Sequence, residues 1–198
     1  TPLYSSAASD VYKRQADELY GEYFIADQVD NLAWALRSYA EFWAGQNQNF
    51  ESAEAMIEKA IFLKPDEPFL KQSAANVFLK AGKEGKALAV YGPEFAKKNA
   101  PDTDVLFSYA SFWNRQGKNL ESALEAAKKC AELEAAYYTF DTLGQIQLKL
   151  KNYKEALKAA EHALVLARDV AKRNEGFPIK PYEDRVQKVK DAMAKEKK

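Results

Sequence analysis

Two hexapeptides govern the reading of this chain. Ser38-Tyr-Ala-Glu-Phe-Trp43 returns as Ser108-Tyr-Ala-Ser-Phe-Trp113, and Glu51-Ser-Ala53 returns as Glu121-Ser-Ala123, each pair 70 residues apart. Half of 70 is 35, and at that spacing Ser73-Ala-Ala-Asn-Val-Phe78 falls into register between them. A further unit with Phe140, Leu143 and Gly144 follows about 34 residues later. A period of this length belongs to architectures in which one supersecondary unit is stacked repeatedly, because a single unit cannot bury its apolar face alone. Within each unit the apolar residues recur at three and four, the spacing of one helix face, in two stretches separated by a short polar turn. In the first unit Leu36, Tyr39, Ala40 and Trp43 form one stripe, Gly45 to Asn49 the turn, and Ala53, Ile57 and Ala60 the second stripe. Pro65 stops that second helix, since its ring and missing N–H do not fit a helix interior. Ala53, Ala87, Ala123 and Ala156 sit on the second helices, where small side chains let helices approach closely. Tyr39, Phe78, Tyr109 and Leu143 are expected to fill the space opposite.

These motifs resemble the tetratricopeptide repeat family, whose pattern runs Trp-x2-Leu-Gly-x2-Tyr, then Ala, then Ala-x3-Phe and Pro. The first unit carries Leu36-x2-Tyr39-Ala40-x2-Trp43, Ala53-x3-Ile57-x2-Ala60 and Pro65, and the fourth carries Phe140-x2-Leu143-Gly144 and Tyr153-x2-Ala156-x3-Ala160-x2-Ala163. The third matches at Leu106, Tyr109, Ala110, Trp113, Leu120, Ala123, Ala127 and Cys130. The second matches at Ala74, Ala75, Phe78, Gly82, Ala87 and Tyr91 but has Gly92-Pro93 where its second helix should continue, so a break or kink is expected there. The resemblance implies an all-α, right-handed superhelical solenoid of four helix-turn-helix units, spanning 33–67, 68–102, 103–136 and 137–170. Residues 171–198 read as a linker and a capping helix, with Tyr182, Val186, Val189 and Met193 on one side and Lys188, Lys190 and Lys195 on the other.

The N-terminus reads differently. Ser5 to Gln15, SSAASDVYKRQ, looks like the in-frame translation of a transposase sequencing adapter, eleven codons in a row, so residues 1–15 are set aside as non-native. On that reading the sequence derives from an assembled metagenomic read set and the natural chain continues upstream of Ala16. Residues 16–32, with Leu19, Tyr20, Tyr23, Phe24 and Ile25, are too apolar for a linker and are expected to be the stub of an upstream repeat or domain. The compartment, cytoplasmic or periplasmic, stays open.

In the family, first helices of successive units line a concave groove along which a partner segment lies. The resemblance therefore implies inward positions at Trp34, Arg37 and Glu41, at Phe69, Gln72 and Asn76, at Asp104, Phe107, Ser111 and Asn114, and at Tyr138, Asp141 and Gln145. Aromatic platforms interleaved with Arg, Asn and Gln suit an extended peptide, because amides pair with its backbone while rings bury its side chains. Trp34, Phe69 and Phe107 can equally be packed between adjacent helices. Some relatives grip a chaperone's C-terminal carboxylate with Lys, Asn and Arg. Here only Asn76 falls on a matching place, and Glu41 and Asp104 would repel the anion, so a chaperone tail is not the expected partner.

The composition narrows the chemistry. Lys+Arg and Asp+Glu number 29 each, so no net field draws the chain to nucleic acid. No run of about 18 apolar residues exists to span a bilayer. Cys130 is the only cysteine and His162 the only histidine, which leaves no multi-ligand Cys/His metal site and no intrachain disulfide. Cys130 occupies the small-residue slot held by Ala60 and Ala163 in other units and reads as a buried inert thiol, and His162 reads as lying on a helix flank. Glu132 with Glu134, and Glu183 with Asp184, read as solvated charge. Gly82 and Gly85 are assigned to an interhelical turn and form no phosphate loop. No cofactor and no enzymatic activity are expected of this stretch. The leading reading is a scaffold that binds a protein or peptide. The alternative is the C-terminal helical arm of a larger enzyme, since Ser108 to Leu166 is also similar to repeats that follow thioredoxin-like domains in some bacterial proteins.

Overall fold

The structure, a computed structural model, describes residues 22–99 and 101–196. The adapter-like residues 1–15 and the first part of the expected stub, 16–21, lie outside the described residues. The described residues are helical with no strand, and they divide into two compact units at the Gly92–Pro93 junction.

Unit 1 holds α1 (Glu22–Gly45), α2 (Phe50–Leu63), α3 (Pro68–Lys80) and α4 (Glu84–Tyr91), and each helix packs on the next while α1 also touches α3. The part of the expected stub from residue 22 onward is the start of α1, continuous with the first repeat. Each turn inside a helix pair places a residue in the left-handed region, which Asn and Gly tolerate because a short polar side chain, or none, avoids the Cβ clash. Asn47, Asn49 and Gly82 do so here at φ 53°, 52° and 75°. Pro68 opens α3 at the position where its missing N–H costs nothing, and Glu67 caps the helix by accepting from the Phe69 N–H at 3.3 Å. Gly85, assigned to the turn from sequence, lies instead in the first turn of α4, because the helix starts at Glu84 just after the left-handed Gly82.

Gly92-Pro93 breaks the chain where expected. α4 ends at Tyr91, and a Cβ on Gly92 would lie 2.1 Å from the Leu88 carbonyl oxygen, so only glycine fits. Pro93 has no N–H to continue the ladder and begins a separate six-residue helix.

Unit 2 holds that short helix, α5 (Pro93–Lys98), with α6 (Thr103–Gln116), α7 (Leu120–Leu133), α8 (Tyr137–Lys149), α9 (Tyr153–Arg173) and α10 (Lys180–Glu196). Asp102 caps α6 by accepting from the Val105 N–H at 3.1 Å, and Gly117 and Asn119 carry the left-handed turn into α7. α10 lies on α9: Val186 and Val189 meet Ala156 and Ala160, with Leu148, Leu157, Leu164 and Met193 around them. Lys188, Lys190 and Lys195 are exposed.

The alanines expected to set the helix spacing, Ala53, Ala87, Ala123 and Ala156, are all fully buried. Phe78 and Tyr109 fill the core as expected, and Leu143 is half-buried. Tyr39 does not, being 57% exposed. Its register mate Tyr109 is covered because Phe95 of α5 stacks on it at 6.2 Å and the turn and α7 bind its hydroxyl through Asn119 and Ser122 at 2.7 and 2.8 Å. Tyr39 meets the Trp43 ring edge to face at 6.5 Å but stays exposed, so whether this repeat position is covered depends on what packs over it.

One buried charge ties unit 1 together. Glu54 of α2 is 6% exposed and pairs with Lys83 at 2.7 Å and Lys86 at 3.1 Å, which come from the turn before α4 and from α4 itself. Burial pushes its carboxyl up, but the hydrogen bonds and charges of the two lysines outweigh that and hold it below the usual glutamate value. A carboxyl depressed in the fold contributes stability that is present above its unfolded value and lost as pH falls through the folded one. Glu54→Gln is therefore expected to cost about 1 kcal/mol in urea unfolding at neutral pH, and the deficit should vanish once the medium is acidic enough to protonate the wild-type carboxyl.

Candidate functional site

The implied inward residues occupy one face of each first helix. In unit 1, Trp34, Arg37 and Glu41 project from α1 beside Phe69, Gln72 and Asn76 from α3. The Trp34 and Phe69 rings are 6.0 Å apart and tilted by 44°. The Arg37 guanidinium stands 4.2 Å from the Phe69 centroid and 5.8 Å from that of Trp34. Its Nε donates to Ser73 Oγ at 2.8 Å, and its Nη2 pairs with Glu41 at 2.9 Å. A planar guanidinium can stack on a ring and donate in its own plane at the same time, so Arg37 is locked between two helices. Lys64 stands 5.7 Å from the Trp34 centroid and pairs with Asp30 at 3.0 Å. Of the two rings, Trp34 is half-buried, whereas Phe69 is 46% exposed. Gln72 and Asn76 are half-buried beside it.

In unit 2, α6 presents Asp104, Phe107, Ser111 and Asn114, and α8 presents Tyr138, Asp141 and Gln145. The Phe107 and Tyr138 rings meet edge to face at 5.0 Å. The Tyr138 hydroxyl donates to the Glu134 carboxylate, and this bond, with burial and the nearby Glu134 and Asp104 charges, pushes the phenol up to about 12. Further along, Asn114 Nδ2 donates to Gln145 Oε1 at 3.1 Å and Gln145 Nε2 to Asp141 Oδ2 at 3.0 Å, and Arg185 Nε of α10 stands 2.7 Å from Asp141 Oδ1. That last contact is an ion pair by distance, with its N–H out of line for a hydrogen bond. Burial raises the Asp141 carboxyl above the ordinary aspartate value even though Arg185 and Gln145 pull it down. Lys149 Nζ donates to the Asn114 carbonyl, and burial, then Lys188, lowers that ammonium.

The geometry thus sorts the implied residues by availability. Phe69 is open to a partner, and Asp104 is exposed. Asn114 is 5% exposed and is a buried link in a polar chain, so it serves packing in this arrangement. Phe107 is neither a free platform nor core, being half-buried against Tyr138. Four contributors lie outside the face pattern that the resemblance implies. Arg185 reaches Asp141 from the last helix, Glu134 lies in the turn before α8, and Phe177 with Tyr182 pack edge-on against Tyr137 at 5.0 and 5.7 Å. Tyr182 and Val186 stood out as a stripe, and Arg185 is the residue between them on the adjoining face. Glu183 and Asp184 make surface ion pairs with Arg168 and Lys180, as expected for solvated charge.

The described residues hold no group of His, Cys, Asp or Glu arranged for a metal ion. His162 is exposed on α9, its ring 4.2 Å from that of Phe140. Cys130 is fully buried, with its thiol 3.6 Å from the Thr103 carbonyl. Burial first, and then the charges of Glu134 and Asp104, push that thiol up to about 11. A thiolate is the reacting species, so little forms at neutral pH. Native protein at about pH 8 is expected to resist thiol-reactive labelling, with full reaction on adding denaturant; fast labelling of the folded chain would contradict this placement.

Among solved structures, the chain is similar to one titled as the functional characterization of Pseudomonas aeruginosa pilF. The match has 21% sequence identity, covers 82% of this chain and 78% of that one, and superposes with a TM-score of 0.52. No protein-family model and no curated protein matches the chain. No described helix is long and apolar enough to cross a membrane. A likeness at this identity speaks for the fold alone, and the fold it supports is an all-α helical repeat of the tetratricopeptide type, the solenoid class read from the 35-residue period.

Proposed function

We propose that the chain is a non-catalytic helical-repeat module that binds a protein or peptide partner along the inward faces of its first helices. The observation that carries this reading is Phe69. Burying an aromatic ring is strongly favourable, yet this one is left 46% exposed, on the face that the resemblance implies is inward. It is also held rigid from beneath by Arg37, whose guanidinium is fixed by Ser73 and Glu41. A ring whose position is already set, with the amides of Gln72 and Asn76 one and two turns away on the same helix, offers a partner apolar contact and backbone hydrogen bonds at low ordering cost. The same reading covers unit 2, where Phe107 and Tyr138 supply the rings and Ser111 a hydroxyl.

An array of defined twelve-residue peptides, probed with the whole chain, tests this. A subset is expected to bind, and Phe69→Ala combined with Asn76→Ala should weaken binding to that subset by about tenfold or more. Because neither side chain is core, the melting temperature should hold. Binding that ignores both substitutions, and equally ignores substitutions at Phe107 and Tyr138, would place the site on the second helices or the turns.

A further inference from the structure

The two units treat an aromatic pair in opposite ways. In unit 1 the Trp34–Phe69 pair is occupied by cations of the chain itself, with Arg37 at 4.2 Å from the Phe69 centroid and Lys64 at 5.7 Å from that of Trp34. Both distances fall within the range at which a cation is drawn to the negative face of a ring. In unit 2 the Phe107–Tyr138 pair has no such occupant among the described residues. It is bordered instead by two exposed carboxylates, Asp104 one turn before Phe107 on α6 and Glu134 in the connection between α7 and α8.

We propose that Phe107, Tyr138, Asp104 and Glu134 form a seat for a cationic side chain, Lys or Arg, carried by the partner segment. The proposal rests on the inward-face reading above and adds the chemistry of what binds there. Two features support it. The Tyr138 hydroxyl is tied to Glu134, which fixes the ring and leaves the second carboxylate oxygen for another donor. The field of the site is negative, since Asp104 and Glu134 both raise the Tyr138 phenol and the neighbouring Cys130 thiol. Two half-buried aromatic rings flanked by exposed carboxylates match a donor-rich cation and repel an anion.

The probe is a blocked nonapeptide alternating arginine with glycine and serine, set against the same peptide with citrulline, which keeps the shape and removes the charge. Each is titrated into the isotope-labelled whole chain at low and high salt. The arginine peptide should shift the ring resonances of Phe107 and Tyr138, and citrulline should not. Asp104→Asn with Glu134→Gln, two exposed positions, should weaken the arginine peptide by about tenfold without changing the melting temperature. Equal binding of the citrulline peptide, indifference to the double substitution, or no response at the two rings would overturn the proposal. The array separates this from failure of the broader reading. Binders that depend on Phe69 and Asn76 but carry no basic residue would remove the cation seat and leave the inward-face reading intact.

Discussion

The close approach of paired helices over small side chains is the constraint on which the rest depends. It is tightest where α8 meets α9: a Cβ added to Gly144 would lie 3.2 Å from the Ala160 nitrogen, 3.3 Å from the Ala156 oxygen and 3.4 Å from the Ala159 Cβ. Backbone there faces backbone, and nothing larger than hydrogen fits without displacement. The fully buried Ala53, Ala87 and Ala123 occupy the comparable place in the other pairs. With the second helices held this close, residues three and four apart on neighbouring first helices within a unit come side by side, and a face with defined chemistry results.

That face is not uniform. Unit 1 closes its aromatic pair with Arg37 and Lys64, so its chemistry is already internally balanced and what it offers outward is the edge of Phe69 and two amides. Unit 2 spends its internal pairing elsewhere, in the chain from Asn114 through Gln145 and Asp141 to Arg185, and leaves acid beside its rings. Asp141 is the stressed member of that chain, since burial works against its charge. Arg185 compensates from α10, which makes the last helix more than a cover for apolar side chains: it supplies the counter-charge for the Asp141 carboxylate of α8. The same helix shields Ala156 and Ala160 with Val186 and Val189.

Much of the fold was legible because its causes are local. Helical spacing, the left-handed Asn and Gly turns, the stop at Pro65 and the break at Gly92-Pro93 each follow from a few adjacent residues. Cys130 was legible as a filler because its slot is alanine in the other repeats. Tyr39 was not, because the fate of a repeat position depends on what stacks against it, and that is not encoded in the position. Glu54 was missed for a related reason: its two lysines lie 29 and 32 residues away, so no spacing rule within a helix signals the pairing. Arg185 reaching Asp141, and Phe177 reaching Tyr137, likewise depend on how the last helix returns over α9. That the implied positions share one face of each first helix was legible from their spacing, but which of them are open, as Phe69 is, and which are structural, as Asn114 is, required the neighbouring helices.

The central role of the small-residue contact can be tested within one helix. Ala53 and Ala55 both lie on α2, the first fully buried and the second exposed. Leucine has nearly the helix propensity of alanine, so propensity alone predicts little change at either place. If close packing governs the fold, urea unfolding of Ala53→Leu should show a loss of about 1–3 kcal/mol from overpacking, with Ala55→Leu near wild type. Equal tolerance of leucine at both positions would contradict the account.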